Sequence, residues 1–167
     1  MIESRNVHSI YLALGTNLGQ RQENLEQAIK RLAPGITVLE TSKLYETAPA
    51  YVVDQPAFLN MVLKGKTTLS PQNLLTYLKR IEDEMGREQT IRYGPRIIDV
   101  DIIFYDDWIV FTPDLQIPHP RLAERGFVLY PLADIAADMV HPVFNQTIRE
   151  LADALSAEDG ILRVIDI

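Results

Sequence analysis

The chain has 167 residues, which suits one domain with a substantial core, and its 47% hydrophobic and 23% charged residues are ordinary for a globular protein. A net charge of −7 disfavours a protein that lives on nucleic acid or on an anionic membrane. The absence of cysteine excludes thiol catalysis, disulfides and thiolate zinc sites. Because the N-terminus has no apolar run long enough for a signal peptide or a membrane span, we expect a cytoplasmic protein.

Strand and helix signals alternate along most of the chain. Apolar residues at helical spacing predict two helices, one with Leu25, Ala28 and Leu32 on one face and one that begins after Ser70. Stretches rich in β-branched and aromatic residues predict the strands. In chain order the predicted elements are a strand at 9–15, a helix that ends at 33–35, strands at 36–46 and 57–67, a helix between Ser70 and Gly86, and a strand within 92–107.

The order strand, helix, strand, strand, helix, strand predicts an α+β fold with a ferredoxin-like βαββαβ core. Its antiparallel sheet would carry the helices on one face, which leaves the other face for a site. The C-terminal additions predicted to follow are a short strand at 109–111, a loop at 117–127 that enters a short helix, a helix capped by Thr147 and Glu150, and a strand at 161–167. We expect a single domain over 1–167, with 1–8 as a flexible N-terminal extension.

Two carboxylates interrupt the apolar strand within 92–107. Side chains alternate along a strand, so Asp99 and Asp101 share a face, with Cα atoms roughly 6.6 Å apart. The alternate residues predicted to face the helices are Val100, Ile102 and Phe104. The carboxylate face is either solvated, as on many antiparallel sheets, or it binds a cation, because paired carboxylates suit Mg²⁺ and the phosphates that it carries.

Arginines cluster before the Asp strand and recur in a later loop, at Arg87, Arg92, Arg96, Arg121 and Arg125. The planar guanidinium group suits phosphate oxygens, so this set predicts a polyphosphate clamp, with solvated loop charge as the alternative. Arg96 is the foremost candidate because Gly94 and Pro95 stiffen the backbone before it. Arg21, on the first helix and away from every motif, is expected to be surface charge.

Three further features have both a functional and a structural interpretation. Phe58 and Asn60 share a strand face and would offer a ring and an amide to a heterocycle, unless Phe58 belongs to the core. His119, between two prolines, is a ligand contact or a histidine of an ordered loop. The stretch LGTNLG at 14–19 gives a ligand close approach or forms a tight turn from strand to helix.

The stretch RYGPRIIDVDII at 92–103 closely resembles the signature of the hydroxymethyl-dihydropterin pyrophosphokinase family of the folate pathway. GTNLG, YETAP, DQPAFLN, IPHPRLAERGF and YPLADIA occur in the family's order and at similar spacing. The resemblance implies the ferredoxin-like α+β fold. It also implies transfer of the terminal diphosphate of ATP to 6-hydroxymethyl-7,8-dihydropterin, with release of AMP, as a step of tetrahydrofolate biosynthesis.

The resemblance also implies roles for individual residues. Asp99 and Asp101 would hold two Mg²⁺ ions and, with Arg87 and Arg96, form the catalytic set. The implied pterin-binding residues are Thr47, Ala48, Ala50, Phe58, Asn60 and Phe127. The implied ATP-binding residues are Glu82, Arg87, Tyr93, Arg96, Ile102, His119 and Arg125. The expected partners are ATP and the pterin, without nucleic acid or a membrane, and the chain is expected to be a monomer.

The sequence departs from the family pattern in two loops. Tyr93 stands where the family often has tryptophan, and the loop 87–96 is slightly short and lacks a second arginine soon after Arg87. The residues AYVV at 50–53 replace a loop that usually contains glycine. These loops close over substrate in the family, so the departures bear on the rate and on nucleotide affinity, whereas the reaction type does not depend on them.

Two other functions are compatible with the same element order. An RNA recognition module would need glycine and aromatic residues beside a basic residue, where this chain has two aspartates. A non-catalytic sensor would bind the pterin or the nucleotide without turnover. Formation of AMP that requires ATP, Mg²⁺ and the reduced pterin together would separate the enzyme from both.

Overall fold

The structure is a computed structural model that describes residues 6–49, 54–86, 97–155 and 160–166. Within these ranges the core elements are β1 (His8–Thr16), α1 (Arg21–Leu32), β2 (Ile36–Thr41), β3 (Leu44–Thr47), β4 (Phe58–Thr67), α2 (Pro71–Glu84) and β5 (Asp99–Tyr105). The C-terminal additions are β6 (Val110–Thr112), β7 (Leu115–Ile117), α3 (Gly126–Ala136), α4 (Ile148–Asp153) and β8 (Ile161–Ile165). None of these described helices is long and apolar enough to cross a membrane.

The described strands form a six-stranded sheet in the order β5-β1-β4-β3-β8, and β2 also pairs with β4. All of these pairings are antiparallel. One face packs on α1 and α2 through a core that includes Leu12, Leu25 and Leu78. On the other face, α3 and α4 bury a second core around Val62 and Leu132. The predicted α+β ferredoxin-like class with C-terminal additions is therefore confirmed, and α3 leaves only part of the second face open.

Local signals in the sequence mark the helix ends correctly. Ser70 is the N-cap of α2 and accepts a hydrogen bond from the Asn73 N–H at 3.2 Å, while Gly86 follows the helix with φ +85°. Thr147 and Glu150 form the predicted capping box at the start of α4. These motifs identify helix ends because they satisfy backbone groups that the helix itself leaves without partners.

The strand predicted at 36–46 divides into β2 and β3. Between them, the Ser42 hydroxyl accepts a hydrogen bond from the Val62 N–H at 2.9 Å and donates one to the Lys43 carbonyl at 2.7 Å. A side chain thus takes the place of one backbone partner of β4, and the strand is interrupted there. The prediction of a single strand over this stretch is wrong.

A bulge in the β1–β5 pairing also alters the predicted alternation. Tyr11 pairs with Phe104 but Leu12 pairs with Ile102, so the register shifts by one residue between them. Ile102 faces α1 and α2 as predicted, whereas Phe104 lies with Ile103 in the core under α3 and α4. The prediction that Phe104 faces the first two helices is therefore wrong.

The N-terminus and the stretch at 117–127 differ slightly from expectation. β1 begins at His8, whose Nδ1 lies 2.6 Å from Asp106 Oδ2. Residues 1–5 lie outside the described residues, so the flexible N-terminal extension stays a prediction. The stretch read as a loop at 117–127 contains the end of β7 and a 3-10 turn over Leu122–Glu124 before α3 begins.

Candidate active site

The two aspartates lie at the start of β5 on the open face of the sheet. Asp99 pairs with Gly15 and Asp101 with Ala13, while Val100 lies between them in the core against α1 and α2. Asp99 is half-buried and Asp101 is exposed. The predicted shared face of the carboxylates is confirmed, and their side chains stand beside the smallest residues of β1.

The donor set at this face fits Mg²⁺ carried by a phosphate substrate. Among the residues that the structure describes, no group of three or more His, Asp or Glu side chains could form an all-protein metal cage. Mg²⁺ usually binds through one or two carboxylates and completes its octahedron with waters and substrate phosphates. Asp99 and Asp101 are carboxylates of this kind, and their shared face is open.

An ordered amide lies across β1 from these carboxylates. Asn60 on β4 pairs with Gly15, and its Nδ2 donates to the Thr47 hydroxyl on β3 at 2.7 Å. Asn60 and Thr47 are 6% and 3% exposed, so this hydrogen bond fixes the orientation of the carboxamide. The row from Asn60 through Gly15 to Asp99 crosses two strand spacings, roughly 10 Å. A flat ligand on this row would reach the amide at one end and the carboxylates at the other.

The floor between these groups consists of small residues. Ala13 and Gly15 lie on β1, and a Cβ atom at Gly15 would stand 2.8 Å from Asn60 Oδ1 and 3.8 Å from the Phe58 ring. Phe58 is half-buried and belongs to neither apolar core, which disfavours the interpretation of Phe58 as a core residue. Gly19, with φ +66°, forms the tight turn before α1, so the two glycines of LGTNLG have different roles.

We expect Gly15→Ala to weaken pterin binding by tenfold or more, on the order of 1.4 kcal/mol, with little change in melting temperature. The new methyl group would displace the Asn60 carboxamide, whose flexible end moves at small cost to stability but then loses its bond to Thr47. Equilibrium binding of the reduced pterin and thermal unfolding check this.

Gly65→Ala is the matched control, because a Cβ there would meet the Thr37 carbonyl at 3.0 Å, on the side of β4 away from the site. It should lower the melting temperature and leave pterin binding unchanged. The same loss of pterin affinity in both variants would contradict the assigned role of Gly15.

His119, one of the residues predicted to hold phosphates, lies beside the outer edge of β5. The His119 N–H donates to the Ile103 carbonyl at 3.2 Å, and His119 Nδ1 accepts from the Arg121 N–H at 3.3 Å. Burial and then the charges of Arg125 and Arg121 lower the pKa of His119 to about 4. The ring is therefore neutral at pH 7 with its proton on Nε2, where it can donate to a phosphate oxygen. The Arg125 guanidinium lies 5.5 Å from the centre of the Phe127 ring.

Other predicted site residues have main-chain or core roles in the structure. Glu82 is 4% exposed, and its Oε2 accepts from the Val100 N–H at 3.0 Å, which supports β5 from α2. The Ile102 side chain lies in the core, and the Ala48 N–H donates to the Gly160 carbonyl at 2.8 Å. Their contacts with ATP or the pterin stay predictions. The predicted site residues that fall outside the described ranges are Ala50, Arg87, Tyr93 and Arg96.

The sequence interpretation missed two side chains that hold the neighbouring loops. Asn17 Nδ2 donates to Gln55 Oε1 at 2.9 Å and to the Pro56 carbonyl at 3.0 Å. Arg21 donates to the Ala57 carbonyl at 3.0 Å and to Glu46 Oε2 at 2.5 Å, so the expectation of plain surface charge is wrong. A cleft of about 380 Å³ lies among these residues, lined by Asn17, Leu18, Gly19, Arg21, Glu46, Pro56 and Ala57. No periodicity or spacing signals these long-range contacts in the sequence.

The sequence matches the family of 7,8-dihydro-6-hydroxymethylpterin-pyrophosphokinase (HPPK) over residues 11–137. It is 39% identical to the 2-amino-4-hydroxy-6-hydroxymethyldihydropteridine pyrophosphokinase of Aquifex aeolicus, over 85% of this chain and 89% of that protein. The chain belongs to this family. The resemblance first drawn from the stretch at 92–103 is thus confirmed.

Some relatives of the chain are longer. The chain is 46% identical to the folic acid synthesis protein FOL1 of Dictyostelium discoideum over 83% of its own length, but it spans only 21% of that relative. The wild-type HPPK-DHPS of Plasmodium falciparum has the same fold, with a TM-score of 0.79 over 93% of this chain and 42% of that one, at 20% identity.

Proposed function

We propose that this chain transfers the terminal diphosphate of ATP to the hydroxymethyl group of 6-hydroxymethyl-7,8-dihydropterin and releases AMP, as a step of tetrahydrofolate biosynthesis. The observation that carries this proposal is the row Asp99–Gly15–Asn60 in a chain of the pyrophosphokinase family. An amide with both a donor and an acceptor suits the edge of a pterin ring. A ring bound there would direct its hydroxymethyl group toward the carboxylates.

Asp99 and Asp101 would hold two Mg²⁺ ions. Their shared face and hard oxygen atoms support this assignment. Bound ions of this kind neutralise charge on phosphate oxygens and lower the pKa of a coordinated hydroxyl, so we assign no separate general base.

The remaining residues would position the two substrates. Phe58 and Phe127 would stack on the two faces of the pterin, and Thr47 would hold Asn60 in place. His119 and Arg125 would donate to the phosphates. Diphosphate transfer needs in-line positioning and charge neutralisation more than covalent help, so a site of this composition suffices.

The decisive experiment measures AMP release while ATP, Mg²⁺ and the reduced pterin are omitted one at a time. AMP formation only in the complete mixture is the expected result. Pterin binding without AMP release would favour the sensor, and a salt-dependent shift of RNA in a gel would favour the RNA module. We also propose that the chain acts in the cytoplasm. We propose further that it is a monomer, and sedimentation of the purified protein would test this oligomeric state.

We expect Arg96→Lys to lower turnover at saturating ATP by roughly tenfold or more, because lysine keeps the charge but loses the two-point fork. An interaction that strengthens only in the transition state appears in the turnover number. Steady-state AMP release checks this prediction. Arg21 does not suit as the control because it binds Glu46 and Ala57, so we choose Arg149→Lys, on the exposed side of α4. Equal rates for the two variants would exclude Arg96 from the clamp.

A further inference from the structure

A tyrosine–carboxylate hydrogen bond connects α3 to the sheet. The Tyr45 hydroxyl on β3 lies 2.9 Å from each carboxylate oxygen of Asp134 on α3, and 3.4 Å from the Tyr130 carbonyl. The Lys43 N–H also donates to Asp134 Oδ2, at 3.3 Å. Tyr45 is 7% exposed, and burial together with Asp134 raises its pKa, so the hydroxyl stays a donor at neutral pH.

Each partner of this hydrogen bond lies on an element that carries or contacts residues predicted to bind the pterin. On the sheet, Tyr45 pairs directly with Asn60, and two residues along β3 Thr47 accepts the Asn60 carboxamide and pairs with Phe58. On the helix, Asp134 follows Phe127 by about two turns. The bond therefore joins the element that carries one predicted stacking ring to the strands that carry the other ring and the amide.

Apolar contacts also hold α3 on the sheet, through residues such as Val62, Leu129 and Leu132. Apolar burial is non-directional, so it specifies the position of the helix along the strands less sharply than a hydrogen bond does. A hydrogen bond with a short distance and a preferred angle fixes that position. The helix position in turn decides how far Phe127 stands from Phe58.

We propose that Tyr45 and Asp134 are positioning residues that set the gap between the two pterin-stacking rings. This inference rests on the proposed function. It assigns the pair no contact with substrate and predicts a change in pterin affinity that a purely structural hydrogen bond would not cause.

The test compares Tyr45→Phe with Tyr105→Phe. Tyr105 is also a buried tyrosine whose hydroxyl donates across the fold, to the Leu69 carbonyl at 2.6 Å, and it lies at the end of β5 away from Asp99. Each variant loses one hydroxyl and keeps its ring, so both should lose similar thermal stability. Only Tyr45→Phe should weaken binding of 6-hydroxymethyl-7,8-dihydropterin, by about threefold to tenfold, the range that one hydrogen bond supplies. The affinity for ATP should stay within about twofold of wild type, since Tyr45 and Asp134 lie on the elements that carry predicted pterin-binding residues.

Variants of Asp134, the acceptor of the Tyr45 hydrogen bond, complete a double-mutant cycle with Tyr45→Phe. Asp134→Asn keeps an oxygen that accepts from Tyr45 and should retain most pterin affinity. Asp134→Ala should weaken pterin binding at least as much as Tyr45→Phe, because it also removes the acceptor of the Lys43 N–H. The double variant Tyr45→Phe/Asp134→Ala should bind the pterin as Asp134→Ala alone does, because Asp134→Ala already removes the interaction that Tyr45→Phe removes. Equal pterin affinity in Tyr45→Phe and Tyr105→Phe, or additive losses in the double variant, would overturn the inference. If the wild-type chain itself fails to bind the pterin, the proposed function fails and this inference fails with it.

Discussion

Asp99→Asn and Asp101→Asn should each lower AMP release by roughly 100-fold or more, because loss of a metal-ligating carboxylate removes several kcal/mol of charge stabilisation. The amide has the shape of the carboxylate, so the strand and its pairing with Gly15 and Ala13 should persist. Removal of one of two neighbouring like charges can even raise the melting temperature of the metal-free protein. The measurements are AMP release at saturating Mg²⁺ and substrates, and thermal unfolding without metal.

Asp107→Asn is the matched control for these variants. Asp107 is an exposed aspartate in the turn that follows β5, so its change removes the same charge from the same region of the chain. It should leave turnover within about twofold of wild type, as surface substitutions usually do. Near-normal turnover of both site variants in saturating Mg²⁺ would show that the carboxylate face is only a solvated face of the sheet.

Phe127→Ala should weaken pterin binding by about 1–3 kcal/mol, as loss of one stacking ring does in base-binding sites. Phe127 lies half-buried in the first turn of α3, where it packs only partly against the second core. Its truncation should therefore cost less stability than loss of a core phenylalanine. Because the Arg125 guanidinium lies over the ring, a small loss of ATP affinity is expected beside the larger pterin effect.

Separate equilibrium titrations with the pterin and with ATP distinguish these effects. Phe111→Ala, on β6, removes a phenylalanine that is 81% exposed and should change neither affinity. Phe58→Ala is a less clean variant, since Phe58 is part of the sheet and its loss can disturb β4. Equal losses of pterin and ATP affinity in Phe127→Ala would exclude the stacking role.

The sequence predicted those features that depend on backbone geometry or on local capping. Asp99 and Asp101 share a face because side chains alternate along a regular stretch of strand. Ser70 favours the start of a helix because its side chain satisfies a backbone donor. The residues alone indicate two carboxylates that suit a cation, and a phosphate clamp. The identity of the pterin came from the family resemblance.

The errors arose where a distant part of the chain decides the local structure. Phe104 changes face because β5 has one extra residue, Ile103, opposite Tyr11 and Leu12 of β1, and the alternation rule does not predict where such a bulge falls. The strand at 36–46 breaks because the Ser42 hydroxyl accepts from Val62 on another strand.

Arg21 and Tyr45 were missed as supports of the site for a related reason. Their partners lie far along the chain, at Ala57 and Asp134, and no spacing rule connects them. Small residues inside a strand also carry a signal for a binding site. Gly15 lies inside a strand, where glycine often marks the close approach of another group, and that signal was present in LGTNLG.

The sheet order has a consequence for the growing polypeptide. β1 pairs on one side with β4 and on the other with β5, the last strand of the βαββαβ core. A ribosome that delivers the chain from its N-terminus completes the β1–β4 pair first, and the second edge of β1 stays open until β5 emerges. Pairing of strands so distant in sequence is slow. The carboxylates therefore join the site after Asn60 and Thr47, and His119, Arg125 and Phe127 join after them. A nascent chain that stops before Asp99 carries the amide and its partner but lacks the two carboxylates.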